Sequence, residues 1–181
     1  MMRVCIFAGS RKGTDPVYEE KAKELGQILA EQGISIVYGG SNGGLMGAIA
    51  DGALEKDGEV IGVMPRQLEG IEISHSRLSR LIQVETMHER KAKMAELADG
   101  YIALPGGFGT IEELTETITW AQIGIHRKPI GLLNAAGYYS PFMTMVDHAI
   151  EAGFVDPVQR TLLKLEEEPR HLVEALWKAK Q

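Results

Sequence analysis

Short apolar runs rich in β-branched residues alternate along this chain with segments of helical length, and that alternation is the signature of a parallel sheet covered by helices on both faces. The pattern predicts strands at about 3–8, 34–38, 59–64, 81–85, 100–104 and 129–134. It predicts helices from Asp15-Pro16 to about Gln32, and at about 45–56, 87–98, 111–124, 140–152 and 169–179. Most of the strands are nearly continuous apolar runs, such as Ile34-Ser35-Ile36-Val37-Tyr38, as strands buried on both faces require. Asp15 supplies a cap acceptor and Pro16 a preset first helical residue. Asn134 to Tyr139 is a turn-rich connection, and Glu166-Glu167-Glu168-Pro169 closes a possible further strand. With no dividing linker, internal repeat or low-complexity segment, residues 1–181 read as one doubly wound α/β domain.

Composition narrows the partners. A 181-residue chain with 44% hydrophobic and 24% charged residues is long and apolar enough for a full core. Its formal charge of −6 argues against a binder of nucleic-acid backbones, which needs clustered lysines and arginines. The single cysteine, Cys5, rules out an internal disulfide and lies in the apolar run Val4 to Phe7, where it reads as a small core side chain. No apolar stretch approaches the about 20 residues that span a bilayer. Met1 to Gly9 lacks a secretory leader, so a cytoplasmic protein without a membrane partner is expected.

In doubly wound sheets ligands bind beyond the carboxyl ends of the strands. Glycine-rich loops fall there: Ala8-Gly9-Ser10-Arg11-Lys12-Gly13, Gly39 to Gly47, and Leu104-Pro105-Gly106-Gly107-Phe108-Gly109. None is a dinucleotide fingerprint, since Asn42 fills the second glycine position when Gly40 is the first. None is a Walker A loop, for the terminal Lys-Ser or Lys-Thr is absent. Such glycines can serve tight turns alone. Gathered at one sheet edge, they also let the backbone approach a small phosphorylated ligand, which the N–H groups of the following helix attract.

Two side-chain groups accompany the loops. In Met87-His88-Glu89-Arg90-Lys91 the start of a zinc-protease motif is broken by Ala92, and His75, His126, His148 and His171 have no ligand spacing, so no metal is implied and each reads as a surface or loop residue. Arg90, in the first turn of a helix, points a guanidinium at the ligand edge, where it can hold phosphate or polarise a leaving group. Thr110-Ile111-Glu112-Glu113 reads as a capping box, with Glu113 reaching back to the N–H of Thr110. A cap leaves the three preceding glycines unexplained, and a chemical role for the Glu113 carboxylate is the other reading.

Pro105-Gly106-Gly107-Phe108-Gly109-Thr110-Ile111-Glu112-Glu113 resembles the Pro-Gly-Gly-x-Gly-Thr-x-x-Glu motif of the Lonely Guy family, phosphoribohydrolases that release the free base from cytokinin riboside 5′-monophosphates. Met87-His88-Glu89-Arg90-Lys91, Tyr38-Gly39-Gly40 and Gly44-Leu45-Met46-Gly47 resemble further elements of that family, and the likeness runs over roughly residues 3 to 155. Ala8 stands where a cysteine is expected, and Ser41-Asn42 replaces a more glycine-rich stretch. The resemblance implies a Rossmann-like fold, a homodimer, a purine nucleoside monophosphate as small-molecule substrate, and no cofactor. It implies Arg90 and Glu113 as the catalytic pair, and substrate contacts from Gly39, Gly40, Glu72, Lys91, Gly106, Gly107, Phe108, Gly109, Thr110, Ile111, Glu112 and Thr119.

The chemistry agrees with the residues. Cleaving a ribose C1′–N9 bond develops oxocarbenium character, which a carboxylate stabilises while it orients or activates water. The departing purine gathers negative charge that an arginine can offset. Two alternatives stand beside this. A pyridoxal-phosphate lysine decarboxylase would need a Schiff-base lysine, whereas Lys12 and Lys91 have simpler uses in phosphate loops. A nucleotide-binding sensor would need the loops but not both Arg90 and Glu113.

Overall fold

In the computed structural model, which describes residues 2–68 and 70–177, the alternation becomes a single parallel sheet of seven strands in the order β4-β3-β2-β1-β5-β6-β7. The elements are β1 (Arg3–Phe7), α1 (Pro16–Glu31), β2 (Ser35–Tyr38), α2 (Gly44–Leu54), β3 (Val60–Pro65), β4 (Arg80–Val84), α3 (Met87–Leu97), β5 (Gly100–Ala103), α4 (Phe108–Gln122), β6 (Ile130–Leu133), α5 (Ser140–Glu151), β7 (Leu163–Glu166) and α6 (Pro169–Trp177). Asp15 caps α1 as expected, its carboxylate accepting from the Val17 N–H at 3.0 Å. The run before Pro169 is a strand, paired in register with β6. Short 3₁₀ segments at Arg66–Leu68, Ala135–Gly137 and Pro157–Leu162 carry no hydrophobic period and were not legible in the sequence. Residues 178 and 179 of the predicted last helix lie outside the described residues.

One predicted boundary is wrong in a way that bears on function. Helix α4 starts at Phe108, not 111, with Gly107 as its N-cap and no side-chain cap bond. Thr110 and Glu113 are therefore inside the helix, and the capping box does not exist. A reciprocal cap forms instead at the start of α3, where Thr86 Oγ1 accepts from the Glu89 N–H at 3.2 Å and the Glu89 carboxylate accepts from the Glu85 N–H at 2.9 Å.

Successive residues of β1 point to opposite faces. Val4 and Ile6 join a core with α1, α2 and α6, while Cys5 and Phe7 join one with α3, α4 and α5. Burying each such Ile or Leu contributes about 1.5–3 kcal/mol. Burial also pushes the Cys5 thiol well up, with the nearby Glu113 adding to the rise, which leaves it an inert core residue. Among the described residues no helix is long and apolar enough to cross a membrane. The chain leaves β1 outward through β2, β3 and β4, then returns to the other side of β1 as β5. At this reversal the loops after β1 and β5 meet, and the Gly9 N–H donates to the Pro105 carbonyl at 3.0 Å.

Helices α1 and α2 touch backbone to backbone. A Cβ at Gly26 would overlap the Ile49 carbonyl oxygen and crowd the Ala53 nitrogen, and one at Gly52 would overlap the Lys23 carbonyl. Because these partners are backbone, no rotamer change relieves the clash. Gly26→Ala is expected to cost about 2–3 kcal/mol, read as a lower urea midpoint at unchanged slope. A parental midpoint would mean that the two helices separate freely.

Candidate active site

The predicted site residues divide between the two flanks of the glycine turn that precedes α4. On one flank the turn and the loop after β1 enclose a cleft of about 580 Å³, lined by Gly9 to Gly13, Tyr18, Leu45, Pro105 to Phe108 and Tyr138. Gly107 and Gly109 are exposed, and Phe108 is 94% exposed. The first intrahelical bond of α4 runs from the Ile111 N–H to the Gly107 carbonyl at 3.1 Å. The amides of Phe108, Gly109 and Thr110 thus have no acceptor within the helix and carry its positive dipole end. Two tyrosines that the sequence did not single out for function fix the turn from behind. Tyr138 OH donates to the Gly106 carbonyl and Tyr139 OH to the Leu104 carbonyl at 2.6 Å. The packing of Thr110, buried against Gly106, explains why the turn has glycine there, since a Cβ would overlap the threonine hydroxyl.

On the other flank lie Arg90 and Glu113. Arg90 is only 6% exposed. Its Nε donates to the Val63 carbonyl at 3.1 Å and its Nη2 to the Gly39 carbonyl at 2.9 Å, so the backbones of β3 and of the residue after β2 hold the guanidinium. Glu72, on the β3–β4 connection, lies 3.8 Å from Nη2. Its Oε2 is buried without a hydrogen-bond partner among the described residues, an acceptor left for something else. Gly39 has to be glycine, because a Cβ would occupy the space of Nη2. Gly40 turns the chain at positive φ and accepts from the His75 N–H at 2.9 Å.

Glu113 is half-buried on α4, and burial raises its carboxyl to about 7; Arg90 and Lys91 pull it down, while Glu112 and Glu116 push it up. A carboxyl that exchanges its proton near neutrality is suited to acid–base work. Lys91 Nζ donates to Glu112 at 2.6 Å and Glu116 at 3.1 Å. Burial lowers its pKa, but these hydrogen bonds outweigh burial and raise it, so Lys91 stays charged. A Schiff-base lysine must become neutral, and Lys12 is paired with Glu19 at 2.7 Å, so neither lysine fits a pyridoxal phosphate.

Thr119 is not brought to this site. It is twelve residues beyond Gly107, about 18 Å along the helix, and its hydroxyl is spent on the Thr115 carbonyl at 2.8 Å. Ile111 is half-buried behind the turn. Nor are all the histidines surface residues: His148 and His171 are exposed, His126 is half-buried beside Tyr101 with its ring nitrogen 3.1 Å from the Thr117 carbonyl, and His75 is buried.

A family profile described as "Possible lysine decarboxylase" matches residues 46–176. The cytokinin riboside 5′-monophosphate phosphoribohydrolase LOG7 of Arabidopsis thaliana is 46% identical over 96% of this chain and 80% of its own length. The enzyme of the same description, LOG, from Oryza sativa subsp. japonica is 46% identical over 97% of this chain and 77% of its own. Among solved structures, the molybdenum cofactor binding protein of Rippkaea orientalis superposes with a TM-score of 0.75 at 21% identity, covering 99% of this chain and 98% of that one. The molybdenum cofactor carrier protein of Chlamydomonas reinhardtii gives 0.73 at 19%, covering 98% and 96%. At such identities these two likenesses concern the fold alone.

Two outcomes test the geometry. Gly39→Ala is expected to fold, since the atom displaced is the end of a flexible side chain, and to lower any turnover by about 100-fold, the effect of moving a reacting group by about 1 Å. Parental turnover would mean that Arg90 needs no fixed seat. The Glu113 carboxyl keeps its proton to about 7 in the fold but loses it near 4.5 when unfolded, so its contribution to stability is present below 4.5 and lost as pH rises to 7. Glu113→Gln escapes that loss and should gain on the parent by at most about 3 kcal/mol between pH 4.5 and 8. Melting temperatures whose difference is independent of pH would contradict the raised value.

Proposed function

We infer that this chain, which belongs to the Lonely Guy family of phosphoribohydrolases, hydrolyses the N-glycosidic bond of purine riboside 5′-monophosphates to free base and ribose 5-phosphate. The observation that carries the reading is the pair formed beside the glycine turn: a guanidinium seated on two backbone carbonyls and a carboxyl that titrates at about 7. The relatives named above share the activity and nearly half of the sequence.

The residues act as follows. The amides of Phe108, Gly109 and Thr110 receive the 5′-phosphate, which the helix dipole favours. Ribose lies across the turn towards Glu113, and Glu72 Oε2, ion-paired with Arg90 but without a hydrogen-bond donor among the described residues, accepts a hydrogen bond from a ribose hydroxyl. The C1′–N9 bond breaks with its electron pair leaving on the purine, while the Glu113 carboxylate stabilises the positive sugar and takes a proton from the water that adds its oxygen to C1′. The purine nitrogen takes up a proton from solvent to leave as the free base, and Glu113 returns its own to solvent. Arg90 is absent from the lining of the cleft beside the amides, which favours a role at the departing purine over one at the phosphate. Lys91 holds Glu112 and Glu116 and so shapes the field at Glu113. Thr119 lies too far along α4 to serve its own chain's site, and Ile123 and Ile125 beyond it are exposed. Both features support a homodimer with this end of α4 at its interface. We assign the protein to the cytoplasm.

The test is chromatography of free base and ribose 5-phosphate after incubation with adenosine monophosphate and with isopentenyladenosine monophosphate, alongside light scattering of the purified protein. Release by the parent, lost by a factor of about 100 or more in folded Glu113→Gln, and a mass of two chains are expected. Nucleotide binding without release from either substrate would make the protein a sensor, and a single-chain mass would refute the dimer.

A further inference from the structure

The β3–β4 connection brings Glu72 to Arg90, and one side chain ties that connection down. His75 is 8% exposed, the only buried residue among 70–79, while Ile71 and Ile73 on either side of Glu72 point outward. Its Nε2 lies 3.1 Å from Asp51 Oδ1 on α2, and its Nδ1 accepts from the Arg77 N–H at 3.2 Å. These contacts define a neutral ring with the proton on Nε2, donating to Asp51. Arg77 reaches the same carboxylate oxygen from outside. Asp51 is the one charged residue of α2, whose sequence is otherwise GLMGAIA and GAL. The backbone follows the side chain. The His75 N–H donates to the Gly40 carbonyl, the Asn42 N–H donates to the Ile73 carbonyl, both at 2.9 Å, and Ser41 and Ser74 form an isolated antiparallel bridge. These two hydrogen bonds, which make Ser41 and Ser74 a bridge pair, stitch the Glu72 connection onto the glycine loop that also seats Arg90.

We propose that the Asp51–His75 pair is a positioning clamp for substrate binding: by holding residues 71–75 against Gly40 to Asn42 it fixes the Glu72 carboxylate beside the Arg90 guanidinium, in place to receive the ribose. Neither residue touches the reacting atoms. The clamp rests on the hydrolase reading for its purpose, but not for its mechanics.

Its test combines hydrogen exchange without ligand and calorimetric affinity for adenosine monophosphate, the latter in a common Glu113→Gln background that prevents turnover during the titration, in His75→Ala, Asp51→Ala, Asp51→Asn, Glu72→Gln and the Glu72→Gln/His75→Ala double variant. In His75→Ala and Asp51→Ala the Asn42 and His75 amides should exchange faster, while the amides of the central strands stay protected. Affinity should fall about tenfold, the scale of a lost positioning contact. Asp51→Asn, whose side-chain oxygen still accepts from Nε2, should restore both readouts. Once Glu72 is Gln, His75→Ala should cost nothing further, since the clamp acts through that carboxylate. Unchanged exchange in His75→Ala overturns the clamp. Faster exchange with an equal affinity loss in the Glu72→Gln background overturns the positioning role. Product release is measured separately, so a parent that binds adenosine monophosphate without cleaving it would refute the hydrolase reading while leaving both arms decisive for the clamp.

Discussion

The Arg90 guanidinium is inside the protein, and most of the site is arranged around that fact. A buried cation is costly unless its donors are met and a negative charge is near. The Val63 and Gly39 carbonyls meet two of the donors, Val63 lying in β3 just beyond its last residue paired with β2, and Gly39 just past the end of β2. Glu72, 3.8 Å from Nη2, supplies the charge, and Glu113 also feels the guanidinium, which lowers its pKa. This seat excludes any side chain at position 39, which explains the first glycine of that loop by contact rather than by turn conformation.

The arrangement also sets the state of Glu113. Burial alone would drive its carboxyl up, and two cations, Arg90 and Lys91, restrain it near neutrality. Lys91 could not play that part if it were neutral. The paired carboxylates Glu112 and Glu116 hold it charged, at the expense of pushing Glu113 back up a little. A carboxyl balanced in this way can give and take a proton at ordinary pH, whereas an unshifted one would be a carboxylate only. The glycine turn contributes something different. It presents amides that need no proton and have no side chain in the way.

Much of this was legible before any coordinates. Helical and extended periods differ enough that the strand and helix order could be read, and the glycine loops fell at strand ends because only there does a doubly wound sheet turn towards a ligand. Boundaries were less secure. Thr-x-x-Glu occurs at both 86–89 and 110–113, and the pattern alone does not say which one starts a helix. It does so at 86, where Thr86 is itself extended and caps the helix; at 110 the helix has already begun, because Gly107 can act as a cap without a side chain. The pairing of Asp51 with His75 was out of reach for another reason. The two residues are 24 positions apart, on a helix and a loop of no regular period, and their contact exists only after β2, β3 and β4 have been laid side by side. One local hint was present: a lone aspartate within an otherwise uncharged helix needs a partner when that helix is buried.

The division of labour between the two faces of the sheet follows from the same topology. The reversal between β1 and β5 opens the amide-lined cleft towards α1 and α2, while the crossover through α3 delivers Arg90 and Lys91 to the opposite flank of one short turn. On the hydrolase reading a nucleoside monophosphate bridges these flanks, its anionic end at the turn and its cleavable centre at Glu113. On that reading the phosphate meets fixed backbone dipoles rather than titratable side chains. The centre is met by side chains on two helices and one loop, each held by contacts outside the site. Of the exposed apolar residues nearby in the chain, Ile71 and Ile73 flank Glu72, while Met87 touches the guanidinium itself, its Sδ 3.9 Å from Nη1.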